Sequence, residues 1–240
     1  MGDVANTLRS NIVFEDDKPA GEAIALAAAT ARPNPANRYN LAALYIAQNK
    51  NIEGQRIFDD LIAQIGDKKA VDTGLEPSAL YFGRANAYIG QEKIDEAIAD
   101  FRKALTLDPE NPHIMNSLGY TLADNNRNLD EALGYLNEAT RIEPRSGYIV
   151  DSLGWVLFRL GRFPEALDKL EAAIALSPSS ATVAEHLGDV YWRTNREVEA
   201  RLEWQKAATA FEKADDKARV TAKVANGLPA LPATANIVTN

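Results

Sequence analysis

The chain has only two histidines, and they are the first residues to test for chemistry. His113 falls at the start of one helical stretch and His186 in the middle of another. A metal site would need a second ligand at His-x-x-x-His or Glu-x-x-His spacing, which puts both ligands on one helix face. Neither histidine is expected to have such a companion. Nucleophilic catalysis would need a histidine, an acid and a hydroxyl brought together. The pair Asp151-Ser152 is adjacent on one helix, and adjacent helical residues do not face each other. No glycine-rich phosphate loop is present; Gly119, Gly154 and Gly188 are spread along the chain at a regular interval. The sequence has no cysteine, which removes thiol catalysis, disulfides and Cys-ligated metals. No catalytic residue, cofactor or metal is expected, and the chain does not read as an enzyme.

Charge narrows the partners. The formal net charge is −8, and no Lys/Arg-rich block occurs, so nucleic acid and anionic membrane surfaces are poor partners. The best apolar stretch, Ala23 to Ala31, is too short to span a bilayer and is closed by Arg32-Pro33, so no direct membrane insertion is expected. Met1-Gly2-Asp3 runs straight into polar sequence without a signal-peptide pattern. Two expectations stand: a cytoplasmic protein, or a mature form or fragment of an exported one.

The elements that would position any site are set by an internal repeat. Ala97, Ala132, Ala166 and Ala200 are separated by 35, 34 and 34 residues. Ala104, Ala139, Ala173 and Ala207 repeat the same steps, and Pro109, Pro144 and Pro178 step by 35 and 34. Three series with one period mark a repeat array. Gly in mid-helix costs about 1 kcal/mol of helix propensity, so its recurrence at Gly154 and Gly188 predicts close approach by a neighbouring helix. Large residues fill the complementary positions: Tyr88, Leu122, Leu157 and Tyr191 on first helices, and Phe101, Leu136, Leu170 and Trp204 on second helices. Each Pro ends a second helix, because it lacks an N–H and disfavours helix in the residue before it.

This pattern resembles the tetratricopeptide repeat (TPR) family, whose unit is 34 residues long. The best unit carries Leu153, Gly154, Leu157, Gly161, Ala166, Leu170, Ala173 and Pro178. The resemblance implies an all-α fold: a right-handed superhelical solenoid of antiparallel helix pairs with a C-terminal capping helix. Residues 1–34 read as a degenerate N-terminal helix pair whose second helix is Ala20 to Ala31. Residues 35–77 read as a divergent unit followed by an inserted loop, Asp67 to Glu76. Residues 78–214 hold four units, 78–111, 112–146, 147–180 and 181–214, the second with one extra residue between Asp124 and Leu129. Glu212 stands where the last unit should have Pro, so the second helix is expected to run on. A charged capping helix is expected over 211–228 and a flexible tail over 229–240.

In the family, positions 2, 5, 9 and 12 of each unit commonly face a concave groove. Carried over, they give Tyr39, Phe82 and Asn86, then His113, Asn116 and Tyr120, then Tyr148, Asp151, Trp155 and Phe158, and last Glu185, Asp189 and Trp192. This face is aromatic and amide-rich, with acids toward its C-terminal end, which suits a protein or peptide partner. Chaperone-tail clamps of the family need Lys, Asn and Arg on successive first helices; Tyr39, Asn40, Ala43, Phe82, Gly83 and Asn86 stand there instead, without the bases. The register makes Trp155 a groove side chain whose loss would spare the fold.

The runs Met115 to Asp124, Leu129 to Leu133, Tyr148 to Arg162 and Ala184 to Trp192 resemble, more narrowly, the C-terminal half of proteobacterial envelope TPR proteins. Some of these are outer-membrane lipoproteins that bind a carboxy-terminal processing protease and present cell-wall hydrolases to it. This implies a periplasmic or outer-membrane-associated adaptor. The lipid-anchor Cys of such members is missing here. An alternative of another kind stays open: a structural scaffold for envelope polysaccharide or secretion machinery with no protease partner. Oligomeric state is not legible.

Overall fold

The computed structural model describes residues 17–66 and 74–230. Among them are twelve α-helices: α1 (Lys18–Ala31), α2 (Pro35–Ala47), α3 (Asn51–Ile65), α4 (Pro77–Ile89), α5 (Ile94–Leu107), α6 (Pro112–Asp124), α7 (Leu129–Ile142), α8 (Gly147–Arg159), α9 (Phe163–Leu176), α10 (Ala181–Arg193), α11 (Glu197–Ala210) and α12 (Ala214–Asn226). No described helix is long and apolar enough to cross a membrane. The chain divides into two compact units, Met1–Ile114 and Met115–Asn240.

From α2 to α11, each helix pair is closed by one turn motif. Asn49, Glu92, Asn126, Gly161 and Asn195 sit in the left-handed region, with φ from 53° to 77°. The next residue in each case donates its N–H back five residues: Lys50 to Tyr45, Lys93 to Tyr88, Arg127 to Leu122, Arg162 to Leu157 and Arg196 to Tyr191, at 2.8–3.0 Å. These bonds satisfy carbonyls left open at the helix end. The donors are all basic, which suits the negative end of the preceding helix dipole. Where the acceptor is Tyr, the base also lies over its ring: Lys50 on Tyr45, Lys93 on Tyr88 and Arg196 on Tyr191. Asn tolerates this backbone better than most residues; Glu92 adopts it without that advantage. The extra residue of the 112–146 unit is taken up here, because Asn128 is a second left-handed residue beside Asn126.

Second helices end by a shared device too. Asp108, Glu143 and Ser177 leave the helix with φ near −140° to −123° while donating to the carbonyls of Ala104, Ala139 and Ala173. The prolines that follow enforce the extended conformation. The last second helix, α11, does not run on, contrary to expectation. It stops at Ala210, and Phe211 turns to ψ 139° without a following Pro. Phe211 still donates to Ala207, and the break lets α12 return to the body, with Arg219 over the Phe211 ring. The capping helix is therefore Ala214–Asn226, shorter than the expected 211–228.

In the first unit α1 packs on α2, α2 on α3, α3 on α4 and α4 on α5. One buried cluster of this unit is Ala42, Phe58, Leu61, Ile65 and Leu80, and a smaller one is Ala25, Leu41 and Leu44. The expected Ala20–Ala31 helix is α1, two residues longer at its start. Its partner helix within 1–16, part of the 67–76 loop and most of the 229–240 tail lie outside the described residues. In the second unit α7 packs on α8, α8 on α9, α9 on α10, α10 on α11 and α11 on α12, while α8 also meets α10.

The mid-helix glycines mark the tightest crossings. A Cβ at Gly119 would lie 2.6 Å from Leu136, at Gly154 2.6 Å from Leu170, and at Gly188 2.5 Å from Trp204. Those three large side chains are fully buried. In the first unit Gly83 receives Phe58 of α3 instead, and Phe101 lies beside Phe82, 5.7 Å between ring centroids. Gly154→Leu is expected to destabilise the protein by about 3 kcal/mol or more through overpacking against Leu170. Chemical denaturation checks this, and near-native stability would disprove the crossing.

Candidate partner-binding site

The second unit brings the expected groove residues of α6, α8 and α10 together, and uses several of them internally. His186 is almost wholly buried, and its Nδ1 lies 3.0 and 3.1 Å from the two carboxylate oxygens of Asp151, itself buried. The His186 ring is stacked against Trp155 at 4.1 Å and 12°. Trp155 stacks in turn on Phe158 at 5.1 Å and 8°, and Tyr120 lies 6.3 Å from His186. The indole N–H of Trp155 donates to Asp124 at 3.3 Å, and Arg159 donates to the Asp124 main-chain carbonyl at 2.9 Å. Burial, reinforced by Asp124 and Asp151, holds the Tyr120 hydroxyl far above its ordinary range.

This geometry corrects the expectation for Trp155. Trp155 is 8% exposed and belongs to an aromatic stack joining α8 to α10, so it is not a free groove anchor. Asp189 follows His186 by three residues on α10, yet the carboxylate that meets its Nδ1 is Asp151 of α8. The pair is 35 residues apart, one repeat plus one, and only the helix stacking makes it visible.

The acids of α10 are also spoken for. Glu185 accepts from Lys223 Nζ at 2.6 Å and pairs with Arg219. Asp189 receives Lys223 Nζ at 2.8 and 2.7 Å and the Trp204 indole N–H at 2.8 Å. Both acidic residues are at least 95% buried, and a buried charge left without a partner is costly. Lys223 is itself largely enclosed, and burial draws its ammonium below the usual lysine range even though Asp189 opposes that shift. Trp192 is half-buried beside Trp204 at 5.5 Å, with Arg201 over its ring.

Tyr148, at 49%, is the one exposed residue among the second unit's expected groove positions. Asn116 is buried, and its side-chain oxygen accepts no hydrogen bond. It stands one turn before Tyr120 on α6, so the two share a face.

The first unit treats its candidates differently. Tyr39 packs edge-on against Phe58 at 5.6 Å and belongs to the core, which raises its hydroxyl above the ordinary tyrosine range. Asn86 donates to the Phe82 carbonyl at 2.9 Å along its own helix. His113 is exposed. Glu110 does precede it at Glu-x-x-His spacing, but Glu110 lies in the turn ahead of α6, so the two do not share a helix face. The strongest polar feature there is Arg84, which the repeat pattern does not single out. It makes a bidentate pair with Asp100 at 2.6 and 2.9 Å and reaches Asp59 at 2.8 Å, tying α4 to α5 and α3. Asp100 chiefly, with help from Asp59, holds the guanidinium proton more tightly than usual. Among the described residues no group of three or more His, Asp or Glu is placed to hold a metal.

Trp155→Ala is expected to cost about 3 kcal/mol by opening a cavity beside His186. A thermal melt of the folded chain measures it, and an unchanged Tm would return Trp155 to the groove.

Tetratricopeptide repeat models match residues 78–111 and 152–217. No curated protein matches the chain. Among solved structures, TTC0263, a thermophilic TPR protein of Thermus thermophilus, is 18% identical, with a TM-score of 0.64 over 80% of this chain and 99% of that one. YrrB, described as a TPR protein with an unusual peptide-binding site, is 21% identical, with a TM-score of 0.55 over 82% and 97%. MamA from Desulfovibrio magneticus is 16% identical, with a TM-score of 0.58 over 72% and 92%. The chain thus has the all-α architecture of a tetratricopeptide array, and its residues 78–111 and 152–217 are tetratricopeptide repeats.

Proposed function

We propose that this protein is an interaction scaffold that holds a protein or peptide partner on the face of α6 and α8, and that it acts in the periplasm as an adaptor for a carboxy-terminal processing protease or its cell-wall hydrolase substrate. The observation that carries the binding role is Asn116. The oxygen is closed to solvent and has no donor, which costs about 1–3 kcal/mol, and that cost is recovered when the side chains over it part and a partner supplies the missing N–H. Tyr120, one turn along α6, and the exposed Tyr148 on α8 offer the aromatic, hydrogen-bonding surface that protein partners use as anchors. The repeat architecture supports the same reading, since stacked helix pairs present extended faces for binding. The adaptor role and the periplasmic setting rest on the resemblance of 115–124, 148–162 and 184–192 to envelope TPR proteins.

Two measurements test this. Asn116→Leu is expected to leave stability unchanged or raise it by about 1 kcal/mol, because it removes an unpaired buried oxygen, while weakening capture of the partner. A loss of stability would make Asn116 structural. Pull-down with the tagged chain from an envelope extract is expected to recover the protease or a wall hydrolase. Recovery of polysaccharide or secretion components alone would overturn the adaptor role and leave a structural scaffold.

A further inference from the structure

α12 continues the repeat beyond the last recognisable unit. Arg219 follows Glu185 by 34 residues, and Lys223 follows Asp189 by 34. The same step joins Asp151 to Glu185 and Trp155 to Asp189 on the preceding helices. α12 therefore stands in register as the first helix of a further unit, with bases where α10 has acids.

Its attachment differs from that of the other first helices. α8 and α10 bury most of their length, whereas Val220 is the one buried side chain of α12. Beyond its packing on α11, the helix is held by Arg219 and Lys223 on Glu185 and Asp189, and at its end by Arg201, which donates to the carbonyls of Val224 and Ala225. Phe211, Glu212 and Lys213 link it to α11 without helical structure. Arg219 is 48% exposed, so its share of the attachment is open to screening by salt. The surface beneath is of another kind. Glu185 and Asp189 sit on a fully packed helix, and Trp204 fixes the Asp189 carboxylate from below. A pair of buried acids thus faces a helix that meets them through two bases one turn apart.

We propose that Glu185 and Asp189 form a receptor for a basic helix carrying Arg and Lys one turn apart, and that α12 is its resident, exchangeable occupant. A partner helix with the same spacing takes this place when α12 swings out. The apparent affinity for such a partner is lowered by the fraction of time that α12 is docked. This extends the face assigned above toward its C-terminal end and rests on that reading only for its biological use; the docking itself stands on the α12 contacts.

The test uses the full chain and a labelled synthetic peptide of residues 211–227. In the variant Arg219→Glu with Lys223→Glu, acids face acids and α12 is released. That variant is expected to bind the peptide saturably and at least about tenfold more tightly than the unmodified chain, where α12 competes. A peptide carrying the same two substitutions is expected not to bind. Equal binding by both chains, or none by a variant shown to be helical, overturns the proposal. Should the variant not fold, amide exchange on the unmodified chain decides. Raising salt from about 50 to about 500 mM is expected to speed exchange in α12 about tenfold and leave α10 unchanged; parallel behaviour of the two helices overturns the proposal. Failure here leaves capture through Asn116 untouched, so the two readings fall separately.

Discussion

Two helices approach only as closely as the side chains at their crossing permit. In this chain that distance is set by a glycine on one helix and a large apolar residue on the other. Gly119 admits Leu136, Gly154 admits Leu170 and Gly188 admits Trp204, each at a separation that leaves no room for a methyl group. The periodic alanines on the second helices keep the remaining contacts short; Ala132, Ala139, Ala166, Ala173, Ala200 and Ala207 are all fully buried. Once the crossings are fixed, α8 and α10 of the second unit stand side by side, and residues about one period apart face each other. The aromatic stack, the His186–Asp151 pair and the acid–base contacts to α12 all follow from that spacing.

This arrangement has an electrostatic cost. Asp151 and Glu185 share one repeat position on α8 and α10, α10 adds Asp189 one turn on, and stacking brings these acids toward the helix that follows. Asp151 is answered by His186, and Glu185 and Asp189 by Arg219 and Lys223. The first unit meets the same need with a single arginine, Arg84, shared between Asp59 and Asp100. A chain with an excess of eight negative charges thus concentrates a few of its bases where carboxylates are buried, since truncating one partner there would strand a charge.

Much of this is legible in the sequence. The Ala, Gly and Pro series mark the helix pairs from 78 to 210 because those residues report local crossings and terminations that hardly vary between repeats. The pairing of Gly154 with Leu170 and of Gly188 with Trp204 follows from shape alone. The face is harder to read. Positions 5 and 9 of a unit point at both the groove and the next repeat, and side-chain type does not tell which contact prevails. So Trp155, Asp151, Glu185 and Asp189 look like partner contacts and are largely taken by neighbouring helices. Arg84 escapes notice because its partners lie 16 and 25 residues away on two other helices. The role of α12 is written in the 34-residue steps to Arg219 and Lys223, but without a Leu-Gly pair the helix does not register as part of the repeat.

The left-handed pair Asn126 and Asn128 bears on how such an array changes length over evolution. One residue added within a helix would rotate everything beyond it by about 100° around the axis and turn its buried stripe toward water. Added at the turn, the same residue is absorbed by a single backbone reversal, and α7 enters with its alanines still facing inward. The connections therefore act as phase buffers. Insertions drift into them and persist, while the helices keep a fixed length, and the 34-residue period survives as an average rather than a strict count.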